Sequence, residues 1–138
     1  GRTQNVSAIL AAVALLAGQN AVRSDFGRPH IDAIPAKVRV LENARILDYG
    51  RLVYQGRVDV NPALDRIRRG EKLNHRNDGT FFSNYERKLP VSPRGHYREF
   101  VYTQQGIRFP GPARIVIGLR GEVYFTGDHY ESFSRVSP

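Results

Sequence analysis

Three side chains in the last third of the chain, Glu99, Arg114 and His129, can together move protons and hold a phosphate. A carboxylate accepts a proton, an imidazole donates one near neutral pH, and a guanidinium stabilises a phosphate whose negative charge is growing. RNA needs no more than this for cleavage, because its own ribose 2′-hydroxyl can attack the adjacent phosphodiester. A base, an acid and a fixed cation therefore suffice to form a 2′,3′-cyclic phosphate, and neither a metal nor a covalent enzyme intermediate is required.

The segments around these residues form short motifs in a fixed order. They are NDGTFF at 77–82, SNYERKLP at 83–90, YRE at 97–99, RIV at 114–116 and GDHY at 127–130, closed by Phe133. Through these motifs, residues 51–136 resemble the microbial guanyl-preferring ribonucleases, the family of barnase and ribonuclease Sa. The resemblance implies an α+β fold, in which an N-terminal helix packs on a twisted antiparallel β-sheet. It also implies an endoribonuclease that cleaves single-stranded RNA 3′ to guanosine by metal-independent transesterification, without a cofactor.

The resemblance implies a catalytic role for each matching residue. Glu99 corresponds to the general base, His129 to the general acid and Arg114 to the phosphate clamp. Taken singly, each residue has a structural explanation: Glu99 as a cross-strand partner of an arginine, Arg114 as an edge-strand residue, His129 as a turn residue. Their joint order and spacing favour the catalytic interpretation.

The loop formed by Ser83, Asn84, Tyr85 and Glu86 resembles the guanine site of the family. There the backbone amides of Asn84 and Tyr85 would donate hydrogen bonds to guanine O6. The Glu86 carboxylate would accept from N1–H and from the exocyclic amine. Adenine presents the opposite donors and acceptors, so it would leave the groups of such a site unpaired.

The chain departs from the family pattern at two positions. Tyr85 stands where the family commonly has arginine, so any contribution of that arginine to base recognition is absent. Pro110 stands where a second phosphate-binding arginine is common, and Arg108 is the nearest candidate for its role. Tyr130 is a further candidate for contact with the phosphate, whereas Phe82 is expected to pack in the core.

Composition agrees with a basic globular protein that binds a polyanion. The chain has 138 residues, enough for one domain, and its formal net charge is +8. Arginine supplies 18 of the 21 basic residues, and its planar fork suits phosphate recognition. Single-stranded RNA is therefore the expected partner, with a barstar-like protein inhibitor as a second. Cysteine is absent, which excludes disulfides and thiolate metal sites, and the histidines show no ligand-like spacing, so no metal is predicted.

The chain divides into an N-terminal extension at 1–48 and a predicted ribonuclease domain at 49–138. The apolar run at 6–17, VSAILAAVALLA, is too short to span a membrane comfortably and has the length of a signal-peptide core. A secreted protein with no membrane segment in its mature form is the preferred interpretation. A buried helix of a larger parent protein is the alternative.

Between this run and the ribonuclease domain, two short strands are expected. Residues 24–35 are punctuated by prolines, which is typical of a linker. Residues 37–40 and 45–49 have the pattern of strands around 41–44, which predicts a small hairpin before the catalytic domain.

The elements that must position the catalytic residues follow from caps and periodicity. Asn61 and Pro62 predict a helix start, with Asn61 as the N-cap and Pro62 at the first helical position. The helix should end at Gly70, with Leu64 and Ile67 facing the core.

Alternation in the C-terminal half predicts the sheet. In residues 97–103, Glu99 lies on one face of a strand with its odd-numbered neighbours, and residues 114–117 alternate in the same way. One face of an antiparallel sheet can then pack on the helix while the other presents Glu99 and Arg114 to substrate. A further strand at 122–126 leads into the histidine loop.

Two other interpretations of the chain stay open. It could be a non-catalytic module of the same fold that binds RNA or an inhibitor, although such a module has no need to keep both an acid and a base. It could also be the toxic tip of a larger delivered protein, guarded by an inhibitor that covers its active site.

Overall fold

The computed structural model describes residues 32–138, so the apolar run at 6–17 and its predicted signal peptide lie outside the described residues. Within residues 32–138 the structure is α+β, as predicted. No helix of this part of the chain is long and apolar enough to cross a membrane. The elements, in chain order, are β1 (Leu41–Asp48), β2 (Arg51–Val58), α1 (Asn61–Arg68), β3 (Thr80–Phe82), β4 (Tyr97–Val101), β5 (Arg114–Gly118), β6 (Val123–Thr126) and β7 (Ser134–Arg135).

Strands β3 to β7 form one antiparallel sheet in sequence order. The predicted alternation is confirmed: Phe100 and Ile115 point to the same side as Leu64 and Ile67 of helix α1, where they form the main core. The other face carries a smaller aromatic and aliphatic cluster that includes Tyr97. The sheet is therefore covered by the helix on one side, which leaves its other side for the functional site.

The helix begins differently from the prediction. Val60 is the N-cap and makes no side-chain capping bond, and Asn61 is the first helical residue. The Asp59 carboxylate accepts the N–H of Asn61 at 3.0 Å, and the Asn61 side chain caps no N–H of the helix. It instead accepts the N–H of Val38 at 2.9 Å and donates to the Val38 carbonyl at 3.0 Å. The prediction of Asn61 as N-cap was wrong because a distant backbone segment uses its amide.

The predicted hairpin was also placed wrongly. Residues 37–40 are not a strand, and 41–44, expected as the turn, lie inside β1. Strand β1 pairs instead with β2, through register shifts between Leu41 and Ala44 and between Ile46 and Leu47. These irregularities interrupt the alternation of side chains between the two faces of the strand, which is the pattern from which strands are predicted.

The β1–β2 hairpin is joined to the rest of the domain by burial and by a backbone hydrogen bond. Ile46 is fully buried in the main core. The N–H of Leu47 donates to the Gly127 carbonyl at 2.9 Å, which fixes the hairpin beside the loop that follows β6. A Cβ on Gly127 would collide with the Arg45 carbonyl, so only glycine permits this approach. The predicted boundary between residues 48 and 49 thus falls in a hairpin that packs as one unit.

Candidate active site

Glu99 lies in the middle of β4, opposite Val116 of β5 and Thr80 of β3. Its side chain is buried on the face away from helix α1, and the hydroxyl of Tyr130 donates to its Oε1. Burial raises the pKa of this carboxyl above its ordinary value, although the Tyr130 hydrogen bond and the positive charge of Arg114 act in the opposite direction. The shifted pKa suits a group that must take up and release a proton.

Arg114 is the first residue of β5, where it faces Val101 of β4. The side chain is almost fully buried. Its Nη1 donates to the carbonyls of Gly111 and Ala113, both at 2.8 Å. Its buried Nε has no hydrogen-bond partner within residues 32–138. A guanidinium that is held in place and keeps one N–H donor unpaired among these described residues is a suitable ligand for an oxyanion.

His129 lies in a tight loop after β6, and it is exposed. Both His129 and the next residue, Tyr130, have positive φ, at 57° and 75°, which is unusual for residues with a side chain. The loop is stabilised by Asp128, whose carboxylate accepts the Ser132 N–H and the Thr126 hydroxyl, each at 2.9 Å. The Thr126 Oγ1 in turn accepts the N–H of Tyr130 at 3.0 Å. Strained backbone held by surrounding bonds is common at functional sites.

Tyr130 connects the histidine loop to Glu99. Besides its hydrogen bond to that carboxylate, its ring stacks on Phe82 with a centroid separation of 5.5 Å. Burial raises the pKa of the Tyr130 hydroxyl strongly, and the hydrogen bond to Glu99 adds to the effect, so this hydroxyl stays protonated as a donor. Phe82 packs against the smaller core cluster, as predicted, and it also lines the cleft.

The loop predicted to bind guanine is stabilised by one of its own members. The Asn84 side chain donates to the Leu89 carbonyl at 3.0 Å and accepts the Leu89 N–H at 3.1 Å. Asn84 also adopts a positive φ of 56°. Tyr85 and Glu86 lie on the outside of this loop, with Tyr85 82% exposed, and the Glu86 carboxylate lies 3.8 Å from Lys88 Nζ. The loop conformation is therefore set without the side chain at position 85.

Two cavities meet at His129. The first, here called the loop cavity, has a volume of about 410 Å³ and is lined by the 83–86 loop together with Glu99, His129 and Tyr130. The second, the hairpin cavity, has a volume of about 790 Å³ and lies between the β1–β2 turn, residues 108–112, Arg114 and His129. All nine residues predicted from the sequence line one of these two cavities.

Sequence reasoning missed the residues that support the site. Asp128 and Thr126 hold the histidine loop, and an acidic residue beside a glycine in a loop is the signal that could have indicated it. His75, which lies near the Phe109 ring at 6.4 Å, was also missed as a neighbour of the site. Burial lowers the pKa of His75, and the charge of Arg114 adds to this shift. His96 lies elsewhere, paired with Glu122 at 2.7 Å.

Comparison with known proteins agrees with this geometry. A sequence model of the ribonuclease family matches residues 53–137. The chain is 35% identical to guanyl-specific ribonuclease Sa3 of Kitasatospora aureofaciens over 95 residues, which cover 67% of each chain. It is 39% identical to guanyl-specific ribonuclease St of Saccharopolyspora erythraea over 75 residues, which cover 54% of this chain and 74% of the relative.

Solved structures show the same similarity. A structure of ribonuclease Sa2 in complex with mononucleotides aligns with a TM-score of 0.52 and 33% identity, over 57% of this chain and 82% of the other. A second structure, of ribonuclease Sa2 with guanosine-2′-cyclophosphate, aligns with a TM-score of 0.51, over 57% of this chain and 85% of the other.

Proposed function

Because this chain belongs to the family of microbial guanyl-specific ribonucleases, we propose that it is an endoribonuclease that cleaves single-stranded RNA on the 3′ side of guanosine. The observation that carries the proposal is the convergence of a buried carboxylate, Glu99, with an exposed imidazole, His129, in the loop cavity beside the guanine-type loop. Arg114 supports it, since its charge acts on Glu99 and it borders the adjoining hairpin cavity.

In the first step, Glu99 removes the proton of the ribose 2′-hydroxyl, and the 2′-oxygen attacks the adjacent phosphorus. His129 gives a proton to the 5′-oxygen as the P–O bond to the leaving nucleotide breaks. Arg114 binds a non-bridging oxygen whose negative charge grows in the transition state. The products are a 2′,3′-cyclic phosphate and a 5′-hydroxyl.

In the second step, water opens the cyclic phosphate with the roles exchanged. His129 takes the proton from water, and Glu99 returns a proton to the departing 2′-oxygen, which leaves a 3′-phosphate. The hydroxyl of Tyr130 stays hydrogen-bonded to Glu99 in both protonation states, because an oxygen of the carboxyl group is always available as acceptor. Tyr130 thus keeps the carboxyl group of Glu99 oriented.

Guanine preference follows from the 83–86 loop. The Asn84 side chain fixes the loop through its bonds to Leu89, so that the backbone amides of Asn84 and Tyr85 are available to guanine O6. The Glu86 carboxylate accepts the two donors on the Watson–Crick edge of guanine. Replacement of the family's arginine by Tyr85 removes one cation from the loop, but it leaves these backbone donors in place.

The test is the cleavage of a defined single-stranded RNA that contains one guanosine, in the presence of EDTA. We expect one cut, directly 3′ to that guanosine, with a 2′,3′-cyclic phosphate on one product and a 5′-hydroxyl on the other. The same oligonucleotide with 2′-deoxyguanosine at that position should stay intact. Cleavage that depends on a metal, products with a 5′-phosphate, or cutting of the deoxy substrate would overturn the mechanism.

Base choice is tested separately with Glu86→Gln. The loss of a charge-assisted hydrogen bond usually costs about 1.5 to 3 kcal/mol, so kcat/KM on GpN substrates should fall roughly tenfold or more. Cleavage of ApN substrates should change little. Equal losses on both substrates would assign Glu86 to a structural role.

A further inference from the structure

The hairpin cavity contains an aromatic residue that the catalytic steps leave unused. Tyr49 lies at the tip of the β1–β2 hairpin, is 100% exposed, and lines this cavity together with Phe109, which is 46% exposed. Two exposed aromatic side chains that border one cavity commonly mark a binding site, because their rings offer a large apolar contact surface. Tyr49 also lies outside residues 53–137, the part of the chain that the family model matches.

The turn itself disfavours a tyrosine. Asp48 pairs with Arg51, so the hairpin has a two-residue turn, Tyr49 and Gly50, and both have positive φ, at 52° and 79°. Turns of this kind favour Asn or Asp followed by Gly, because a large side chain is strained at positive φ. The hairpin therefore carries a residue that suits ligand contact better than it suits the turn.

The chemistry of the site indicates which nucleotide reaches this cavity, and this step rests on the proposed function. Glu99 acts on the 2′-hydroxyl of the guanosine and lines the loop cavity. His129 gives its proton to the 5′-oxygen of the leaving nucleotide, and it lines both cavities. When guanine occupies the 83–86 loop, the scissile phosphate therefore lies at His129, between the two cavities. The nucleotide that follows enters the hairpin cavity.

Charge does not explain how that nucleotide would be held. The cavity is lined by the guanidiniums of Arg108 and Arg114, but also by the carboxylates of Asp48, Asp128 and Glu131. The positive and negative side chains roughly offset each other, so beyond the contact of Arg114 with the scissile phosphate, charge gives the following nucleotide little net attraction. Stacking of a base on an aromatic ring needs no net charge and tolerates any base.

We propose that Tyr49 is the stacking platform for the base that follows the scissile phosphate, which makes the hairpin tip a binding site for the downstream nucleotide. Phe109 lies in the same cavity with its ring edge-on to His75, and it forms the second aromatic surface. The site takes a nucleoside linked through its 5′-oxygen, and it favours purines because their larger rings stack more strongly.

The experiment compares two substrates: the dinucleotide GpA, which carries a downstream nucleotide and undergoes the first step, and guanosine 2′,3′-cyclic phosphate, which carries none and undergoes only the second. Tyr49→Asn should lower kcat/KM on GpA about tenfold, the scale of one base–aromatic stack. Hydrolysis of the cyclic phosphate should be unchanged. Tyr49→Trp should retain cleavage of GpA, because it keeps a stacking surface. Leu52→Ala, on the same hairpin but outside both cavities, is the matched control and should leave both rates unchanged.

Two further readouts separate binding from a structural role. The unmutated protein should cleave GpA faster than GpU, and Tyr49→Asn should reduce that ratio. Because Asn-Gly is a favoured pair for this turn, Tyr49→Asn should also keep or raise the thermal unfolding temperature. Equal losses on GpA and on the cyclic phosphate, or no loss on GpA, would overturn the stacking site alone. A failure of the unmutated protein to act on either substrate would overturn the proposed function and the stacking site together.

Discussion

The burial of Glu99 suits its proposed role as the general base, and it opposes stability. A carboxylate removed from water takes up a proton more readily, which suits a base whose task includes returning that proton in the second step. The same burial penalises the ionised form in the folded protein. Its Tyr130 hydrogen bond and the nearby Arg114 offset only part of this penalty, since the pKa remains above its ordinary value.

Glu99→Gln should therefore raise the free energy of unfolding at neutral pH, because it removes a buried charge and keeps an acceptor for Tyr130. The folded state binds the Glu99 proton up to a higher pH than the unfolded state does. Wild-type stability from this group is therefore present in acid and lost as pH rises through the raised pKa. The advantage of the variant should grow over that interval and then level off. Urea titrations of both proteins across this pH range measure it, and a variant less stable at neutral pH would contradict the burial argument.

Cleavage of RNA should follow a bell-shaped pH profile with one limb for each proton-transfer residue. Ionisation of Glu99 sets the acidic limb, which we expect at a higher pH than for an exposed glutamate, because burial raises its pKa. Glu99→Gln and His129→Gln should each lower kcat about a hundredfold to ten-thousandfold and abolish the acidic and the alkaline limb respectively. Arg114→Lys should lower the rate and keep both limbs, because it retains charge but loses the fork. Near-normal activity of His129→Gln would remove the histidine from the mechanism.

At the scale of helices and strands, Asp78 connects several elements of the fold, and no pattern in the sequence predicted this role. It lies in the turn that precedes β3. The Asp78 carboxylate is almost fully buried. It accepts hydrogen bonds from both terminal nitrogens of Arg66 in helix α1, at 2.8 and 3.1 Å. It also accepts the N–H of Leu73 at 2.8 Å and the N–H of Val101 at 2.9 Å. One side chain thus joins the helix, the following loop and strand β4.

Asp78→Ala should destabilise the protein by about 3 to 5 kcal/mol, the usual range for breaking a buried ion pair from one side. Burial alone would raise the pKa of Asp78, but the hydrogen bonds from Arg66, Leu73 and Val101 outweigh it and the pKa is lowered. The stability from Asp78 is therefore present above the ordinary Asp pKa and lost as pH falls through the lowered one, so the two proteins should converge in strong acid. Asp65→Ala, which breaks an exposed pair with Arg68, is the control and should cost about 0 to 1 kcal/mol. Similar losses for both variants would contradict the role of Asp78.

The success of sequence reasoning differed between elements for physical reasons. Period two placed Glu99 and Arg114 correctly on one sheet face, because regular strands leave a regular pattern. The β1–β2 hairpin was misplaced because two register shifts disturb that pattern. The roles of Asn61 and Asp78 were missed because each side chain binds a backbone group 23 positions away along the chain. No local sequence pattern indicates such a distant partner.

For the site as a whole, family spacing indicated residues that line the two cavities, and it did not indicate the residues that hold them in place. Asp128 and Thr126 hold the loop that carries His129, and this role is visible only once that loop is folded. The tip residue Tyr49 was outside the recognised motifs altogether. Secretion and a protein inhibitor stay predictions, since they depend on the N-terminal run and on a partner's surface.

Across the whole molecule, the net charge of +8 is only partly available to RNA. In helix α1 and at its C-cap, Arg66 is bound to Asp78, Arg68 to Asp65 and Arg69 to Glu71. These three arginines are therefore structural or solvated side chains. The remaining excess of basic residues should still attract a polyanion over distances set by ionic strength.

The dependence of cleavage on salt should therefore grow with the length of the substrate. Each phosphate of a single strand that the protein neutralises contributes a slope of about −0.7 to the plot of log binding against log salt concentration. A long single-stranded RNA engages the basic surface beyond the cleft, whereas GpA offers one phosphate to Arg114 and its neighbours. We expect kcat/KM on the long RNA to fall several times more steeply with added NaCl than kcat/KM on GpA, with both measured at one pH. Hydrolysis of guanosine 2′,3′-cyclic phosphate is the control, because it reports the effect of salt on the catalytic groups themselves. Equal slopes for the long RNA and for GpA would mean that only the cleft contacts the substrate, and that the basic surface serves solubility.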